Sequence, residues 1–294
     1  MKMKSKNKYN RFQALDAVLL VILGAWAAVI LLPFINVVAI SFSSQKAYAD
    51  SPLLLFPTDF VLSSYKMLFA DGRIWIGFRT TFQLLLIALP LNMFLTSTLA
   101  YGLSRKDYPG RKLILRLVLI TMLFNGGIIP LYLTVKSYGI MGTLSAVALS
   151  TGLNTFYMII MVNFFQSLPE SLVESAKLDG AGEWRILFKI IIPLSKPVFA
   201  TVFLYYFVDR WNEWYNAMIM IRNTAKTPLQ LILRNIVLES QAMDNIVTES
   251  VDLYSFSIGI KMAAVVVTIV PVMCVYPFLQ RYFTKGIMLG AVKS

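Results

Sequence analysis

Residues 14–40 read ALDAVLLVILGAWAAVILLPFINVVAI, and this stretch decides the fold class. A helix rises about 1.5 Å per residue, so about 20 apolar residues cross the hydrocarbon core of a bilayer. The run exceeds that length. It follows a start that holds Lys2, Lys4, Lys6, Lys8 and Arg11 and no acid. A basic start before an apolar run is also the layout of a signal peptide, and Ala47-Tyr48-Ala49 mimics a cleavage site. A signal core, however, spans only about 7–15 residues. The expectation is a retained first membrane helix, with residues 1–13 as a basic cytoplasmic N-terminus.

Five further runs reach spanning length, over residues 74–101, 113–133, 143–165, 197–221 and 258–283. The whole chain is 57% hydrophobic and 14% charged, with a mean hydropathy of +0.68. Soluble domains are about 45–50% apolar and about 25% charged, and a soluble core of this size needs more polar cover than these residues supply. The abundant apolar and aromatic residues also exclude disorder. The expected fold is an all-α integral membrane protein with six transmembrane helices over residues 14–283 and both termini on one side.

Basic residues test the orientation. Residues 1–13, 104–116, 166–196 and the tail from Arg281 hold 17 of the 27 Lys and Arg, while 139–154 holds none. By the positive-inside rule both termini are cytoplasmic, 222–257 is an extracellular loop and 284–294 a cytoplasmic tail. The net charge of +12 is therefore spread over segment ends, where it meets lipid headgroups, and forms no patch for nucleic acid.

Two absences narrow the chemistry. With no histidine, imidazole acid–base catalysis and His metal ligation are excluded. The lone Cys274 lies in an apolar run and reads as a small buried hydrophobe. No internal repeat is visible, which argues against a transporter built from inverted repeats in one chain. Phe124-Asn125-Gly126-Gly127 interrupts the third span just before Pro130, and a broken helix in lipid marks either a pathway or close helix packing. Asn125 is thus a substrate-path candidate.

Residues 166–196 are the most informative segment. Ser167-Leu168-Pro169-Glu170 spells a capping box, with Pro169 tolerated in a first turn. Leu168, Leu172, Val173 and Ala176 then recur at helical spacing on one face. Gly180 and Gly182 stop that helix, and a second helical run from Glu183 ends at Pro193. A helix lying on lipid headgroups would carry excess Lys and Arg. Here four acids balance four bases, which favours docking to a protein.

The spelling of this segment adds to the pattern. Glu174-Ser175-Ala176, three residues, Gly180, nine residues and Ile190-Ile191-Ile192-Pro193 resembles the E-A-A, x3, G, x9, I-x-L-P signature of ABC importer permeases. Ser175 and Ile192 are the departures. The stretches 124–130, 163–169 and 285–293 are similar to the carbohydrate-importer, maltose-type branch, and most of all to its members that handle complex oligosaccharides. The resemblance implies a type I importer permease architecture and a bacterial plasma-membrane location. It implies two cytoplasmic ATPase subunits that bind the ATP and Mg²⁺, a second homologous permease, and an extracellular or periplasmic binding protein. No phosphate-loop motif occurs in this chain, so it is expected to bind no cofactor and to be no enzyme. The expected ATPase-coupling residues are Leu172, Glu174, Ser175, Ala176, Asp179, Gly180 and Pro193, on a coupling loop over 166–196. Glu174 makes a polar contact, Leu172 anchors, Ala176 packs closely and Gly180 turns. The resemblance also implies that the tail 285–294 reaches the ATPase pair and that Gln241 and Asn245 of the outer loop contact the binding protein.

Sugar-path candidates are Tyr205, Trp211, Asn212, Trp214, Tyr215 and Asn216, because rings stack on sugar faces and amides bond hydroxyls. An interfacial aromatic belt is the plainer reading. Asp209, Arg210 and Glu213 sit among them, with Asp209 and Glu213 one helical turn apart, and read as a structural ion cluster. An ion-coupled secondary sugar transporter and a membrane enzyme working through a carboxylate pair are the alternative functions.

Overall fold

The computed structural model describes residues 14–124, 126–246 and 258–277. The expected segments at 1–13 and 284–294, the last residues of the sixth span, and Asn125 lie outside the described residues. Among the described residues the chain is helical, with turns and one isolated antiparallel bridge between Ser43 and Phe60. The helices are α1 (Ala14–Ser41), α2 (Gln45–Asp50), α3 (Ser63–Ala70), α4 (Gly72–Ser104), α5 (Arg111–Leu123), α6 (Ile128–Ser137), α7 (Leu144–Ser150) and α8 (Thr155–Ser167). They continue with α9 (Ser171–Leu178), α10 (Glu183–Leu194), α11 (Lys196–Trp211), α12 (Tyr215–Met220), α13 (Leu229–Ile246) and α14 (Ile258–Pro277).

Three of these, α1, α4 and α14, are each long and apolar enough to cross a membrane. Three bent pairs, α5 with α6, α7 with α8 and α10 with α11, also pass that test, which brings the total to six if each pair is one span. The bend is 57° between α7 and α8 and 88° between α10 and α11. On α1, Val21 is 71% and Trp26 68% exposed, so its apolar surface demands lipid or another subunit. Cys274, expected as a buried hydrophobe, is exposed on α14, in an equally apolar helix.

The chain divides into two compact units. The first holds residues 1–70 and 240–266. Here Ala39, Ile40 and Leu54 pack with Tyr48, Ile258 and Met262. Phe42 stacks on Phe60 at 5.1 Å and meets the tilted Tyr65 ring at 4.8 Å, and Ser41 Oγ and Tyr65 Oη are 2.9 Å apart.

The second unit holds residues 71–239 and 267–294 and is organised on α4. Asp71 caps α4 by accepting from the Arg73 N–H at 2.9 Å, and the helix continues through Pro90 for 33 residues. Against it pack α7, α8 and α11. Leu84 and Ala88 of α4 join Leu144, Val147, Ala217 and Met220 in one core. Two polar side chains of α4 serve its neighbours' ends. The Thr81 hydroxyl accepts the Leu229 N–H at 2.9 Å, which caps α13. Asn92, fully buried, donates to the carbonyls of Thr151 and Gly152 at 2.9 and 2.8 Å.

That second contact explains a break absent from the sequence reading. Residues 143–165 read as one span, but the structure stops α7 at Ser150 and restarts at Thr155. Asn154 caps α8 by accepting from the N–H groups of Phe156 and Tyr157. A break in an apolar setting survives only where neighbours satisfy the freed backbone groups, and Asn92 does so. The sequence also read 222–257 as a loop. Its first part folds into α13, whose Leu229, Ile232, Leu233 and Ile236 are buried. The side chains of Gln241 and Asn245 are not among those described.

Gly77 lets α13 approach α4. A Cβ there would lie 2.9 Å from the Leu229 Cα and 2.9 Å from Ile232 Cδ1, whereas a Cβ at Gly102, near the other end of α4, meets nothing within 4 Å. Gly77→Ala is expected to destabilise by about 1–3 kcal/mol through overpacking. Gly102→Ala leaves stability unchanged or raises it, since Ala is the better helix former by about 1 kcal/mol. Thermal unfolding of the purified protein in detergent checks both.

Candidate functional site

The segment linking α8 to α11 forms two short helices and a corner. The expected capping box is absent. α8 runs on through Ser167, whose hydroxyl donates back to the Phe164 carbonyl at 2.7 Å. A hydroxyl in a last turn finds an unused carbonyl beside it. α9 starts instead on the Pro169 and Glu170 carbonyls, which accept from Leu172 and Val173. The exposed Glu170 carboxylate pairs with Lys106 Nζ at 2.9 Å.

Val173 and Ala176 of α9 are buried. Leu172, expected on their face, is 39% exposed, and Leu178 is 89% exposed. Glu174, Ser175, Asp179 and Gly180 are exposed too. The helix ends in a Schellman motif: Gly180 N–H bonds the Lys177 carbonyl at 3.0 Å and Ala181 N–H bonds the Ala176 carbonyl at 2.9 Å. Gly180 adopts φ +75°, a left-handed conformation that suits glycine.

α10 contains a π-helical turn, Leu187–Ile191, just before Pro193. Proline lacks an N–H and its ring crowds the carbonyl four residues back, and a widened turn relieves that clash. The chain then turns 88° at Ser195, which is fully buried, into α11. Glu183 in the first turn of α10 pairs with Lys177 at 2.8 Å and accepts the Tyr101 hydroxyl of α4. The Trp184 ring lies nearly parallel to those of Phe94 and Phe188, with centroids 6.3 and 5.9 Å away. A cavity of about 470 Å³ lies between the end of α4, the following turn, α9 and α10.

A second cavity, of about 320 Å³, is lined by Val208, Asp209, Arg210, Asn212, Glu213, Trp214 and Tyr215. Asn212, Trp214 and Tyr215, all sugar-path candidates, therefore share one concavity. Asn216 stands behind it, donating to Glu213 from both its backbone and its amide. Tyr205 packs on Tyr157 at 5.2 Å. Trp211 faces inward: it is 1% exposed, with Nε1 donating to the Thr268 carbonyl at 3.0 Å.

The charges are distributed otherwise than helical spacing suggests. α11 ends at Trp211, so Glu213 leaves the face it would share with Asp209. Asp209 accepts the Tyr157 hydroxyl at 2.9 Å, while Arg210 pairs with Glu213 at 3.2 Å and donates to Thr151. Tyr206 Oη accepts from the Asn154 N–H and lies 2.7 Å from Thr96 Oγ1. Sequence reasoning missed Tyr157, Thr151 and Asn92. Their signal was present as polar side chains inside or beside apolar runs. Arg234, whose guanidinium lies 4.7 Å over the Trp214 ring, comes from a helix the sequence reading took for loop.

The family model described as "Binding-protein-dependent transport system inner membrane component" matches residues 10–288. The chain belongs to this family. As an inner membrane component it resembles the polygalacturonan/rhamnogalacturonan transport system permease YtcP of Bacillus subtilis, with 41% identity over 92% of this chain and 94% of the relative. It also resembles the diacetylchitobiose uptake system permease NgcG of Streptomyces coelicolor, with 30% identity over 97% of this chain and 90% of that one. A solved chain from a bacterial ABC transporter that imports the acidic polysaccharide alginate superposes with a TM-score of 0.80, at 29% identity, over 93% of this chain and 99% of that chain. The all-α, multi-span permease fold expected for this inner membrane component is the one it has.

The Arg210–Glu213 pair is 7% exposed on both sides. Arg210→Ala leaves a buried carboxylate without its cation and is expected to cost about 3–5 kcal/mol. Arg210→Ala combined with Glu213→Ala costs less than the sum of the single changes. A double-mutant cycle on thermal unfolding reads the difference.

Proposed function

We propose that this chain is the membrane-spanning permease subunit of an ATP-driven importer in a bacterial plasma membrane, and that it carries an oligosaccharide or polysaccharide fragment inward. The observation that carries this reading is the 41% identity, across 92% of the chain, to a permease named for polygalacturonan/rhamnogalacturonan transport. Six spans bring both termini to one side, and the Lys and Arg bias of residues 1–13, 104–116, 166–196 and the tail supports the cytoplasm as that side, with 166–196 as the coupling loop and 222–257 outside. A second, homologous permease completes the pathway. An extracellular or periplasmic binding protein delivers the sugar to the outer loop. Two cytoplasmic ATPases bind ATP and Mg²⁺ and hydrolyse the nucleotide, so this chain is not itself an enzyme.

α9 is the part the ATPase grips. Its Leu172 and Leu178 are apolar side chains held in the open, the state expected of an interface lacking its partner. Leu172 anchors, Glu174, Ser175 and Asp179 offer polar contacts, and Ala176 packs the helix against its own subunit. Gly180 sets the angle between α9 and α10. Pro193 prepares the corner where α10 meets α11, so that a push on α9 becomes a tilt of the span. Packed rigid elements shift in this way between discrete arrangements. In the second cavity, Trp214 and Tyr215 offer ring faces and Asn212 an amide to a passing sugar. Asp209 is engaged by Tyr157 and Arg210 by Glu213, an arrangement suited to shaping a path and poorly suited to binding a coupling ion.

Gly180→Pro is incompatible with φ +75°, because proline holds φ near −65°. In proteoliposomes with the partner subunits, Gly180→Pro and Glu174→Lys are expected to abolish substrate-stimulated ATPase activity and uptake while the protein still inserts. Gly180→Ala, with open space around its Cβ, retains partial coupling. Normal stimulated ATPase activity in Gly180→Pro counts against the coupling role, and uptake driven by a pH or sodium gradient without ATP overturns the importer reading.

A further inference from the structure

The docking role of α9 leaves open how its movement reaches the polar cavity, and the answer proposed below rests on that role. Side-chain contacts between the α9–α10 hairpin and α4 include the polar chain Lys177–Glu183–Tyr101 and the stack of Trp184 on Phe94. Beside them lies the 470 Å³ cavity, lined by Thr98, Gly102, Arg105, Tyr108 and Leu187 among others. Helices that face each other across a void have few packing contacts there, so force passes through the groups that do touch.

Tyr101 is suited to carry it. Its side chain is largely buried, and the Arg105 guanidinium lies 4.5 Å over its ring. Its hydroxyl donates to a charged acceptor, the stronger and more directional kind of hydrogen bond. Lys177 foremost, and the Tyr101 hydroxyl after it, hold the Glu183 carboxylate below its usual pKa range. A depressed carboxylate keeps its partners above its ordinary pKa near 4.5 and releases them only as pH falls through the lowered value, so the chain of contacts stays intact at cellular pH. The same helix continues to Thr96 and Asn92. These engage Tyr206 and the break between α7 and α8, and thus the far polar network.

We propose that Lys177, Glu183 and Tyr101 form a latch that passes the movement of α9–α10 to α4, with Tyr101 a positioning residue for coupling. α4 then moves the loop carrying Thr151, the partner of Arg210 at the second cavity. The latch lies between the ATPase grip and the sugar path and belongs to neither.

The test is the amount of sugar imported per ATP hydrolysed, in proteoliposomes holding this chain, its partner permease, the ATPases and the binding protein. Tyr101→Phe removes one hydroxyl and keeps the ring under Arg105. It is expected to lower that ratio roughly threefold to thirtyfold. Glu183→Ala, on a half-exposed side chain, lowers it equally, and the two changes together lower it no further. Glu183→Gln keeps an oxygen acceptor for Tyr101 but loses the ion pair with Lys177, so it recovers only part of the ratio, and it does so at unchanged thermal stability, which a merely structural role does not predict. A wild-type ratio in Tyr101→Phe, or fully additive losses in the double variant, overturns the latch. Loss of ATPase co-purification on Leu172→Asp tests the docking role separately: if the ATPase stays bound, docking on α9 fails whatever Tyr101 does.

Discussion

A helix cut inside an apolar layer frees carbonyls that water cannot reach, and each needs a donor from the protein. In this chain that donor is Asn92. Its amide bonds the carbonyls of Thr151 and Gly152, and Asn154 caps the helix that resumes. The break can therefore carry Thr151 to Arg210 and the Asn154 N–H to Tyr206. Without the Asn92 contact, α7 and α8 have reason to close into one continuous helix, and the polar network beside the second cavity loses its frame.

The same α4 that holds this break also meets the α9–α10 hairpin through Tyr101 and Phe94. One rigid element thus serves both regions of the second unit. The hairpin is built to stay rigid itself. A Schellman motif closes α9, a π-helical turn accommodates Pro193, and a buried Ser195 marks the corner into α11. Each feature fixes an angle, and angles are what a lever needs.

The polar pattern was only partly legible beforehand. Gly180 was readable as a stop because a glycine after an amphipathic turn has few other uses, and its φ of +75° accords with that. Ser167 was misread because the length of α8 depends on packing, and a cap position shifts when the preceding helix runs on. Leu172 was misplaced because a helix of only eight residues gives too few apolar positions to fix which side of the stripe is buried. Asp209 and Glu213 share a face only while the helix lasts, and α11 ends between them. The Asn92 contact joins residues about sixty positions apart, a relation that no local pattern encodes.

By itself the sequence determined the membrane character, the number of apolar runs, the hairpin at 166–196 and its glycine turn. These follow from composition and from periods of a few residues, which act locally. The tertiary structure alone decided where spans break, which charges pair, that Trp211 faces inward while Asn212, Trp214 and Tyr215 share a cavity, and that Tyr101 meets Glu183. Those outcomes depend on which distant side chain arrives to satisfy a buried polar group, and that is settled only when the helices pack.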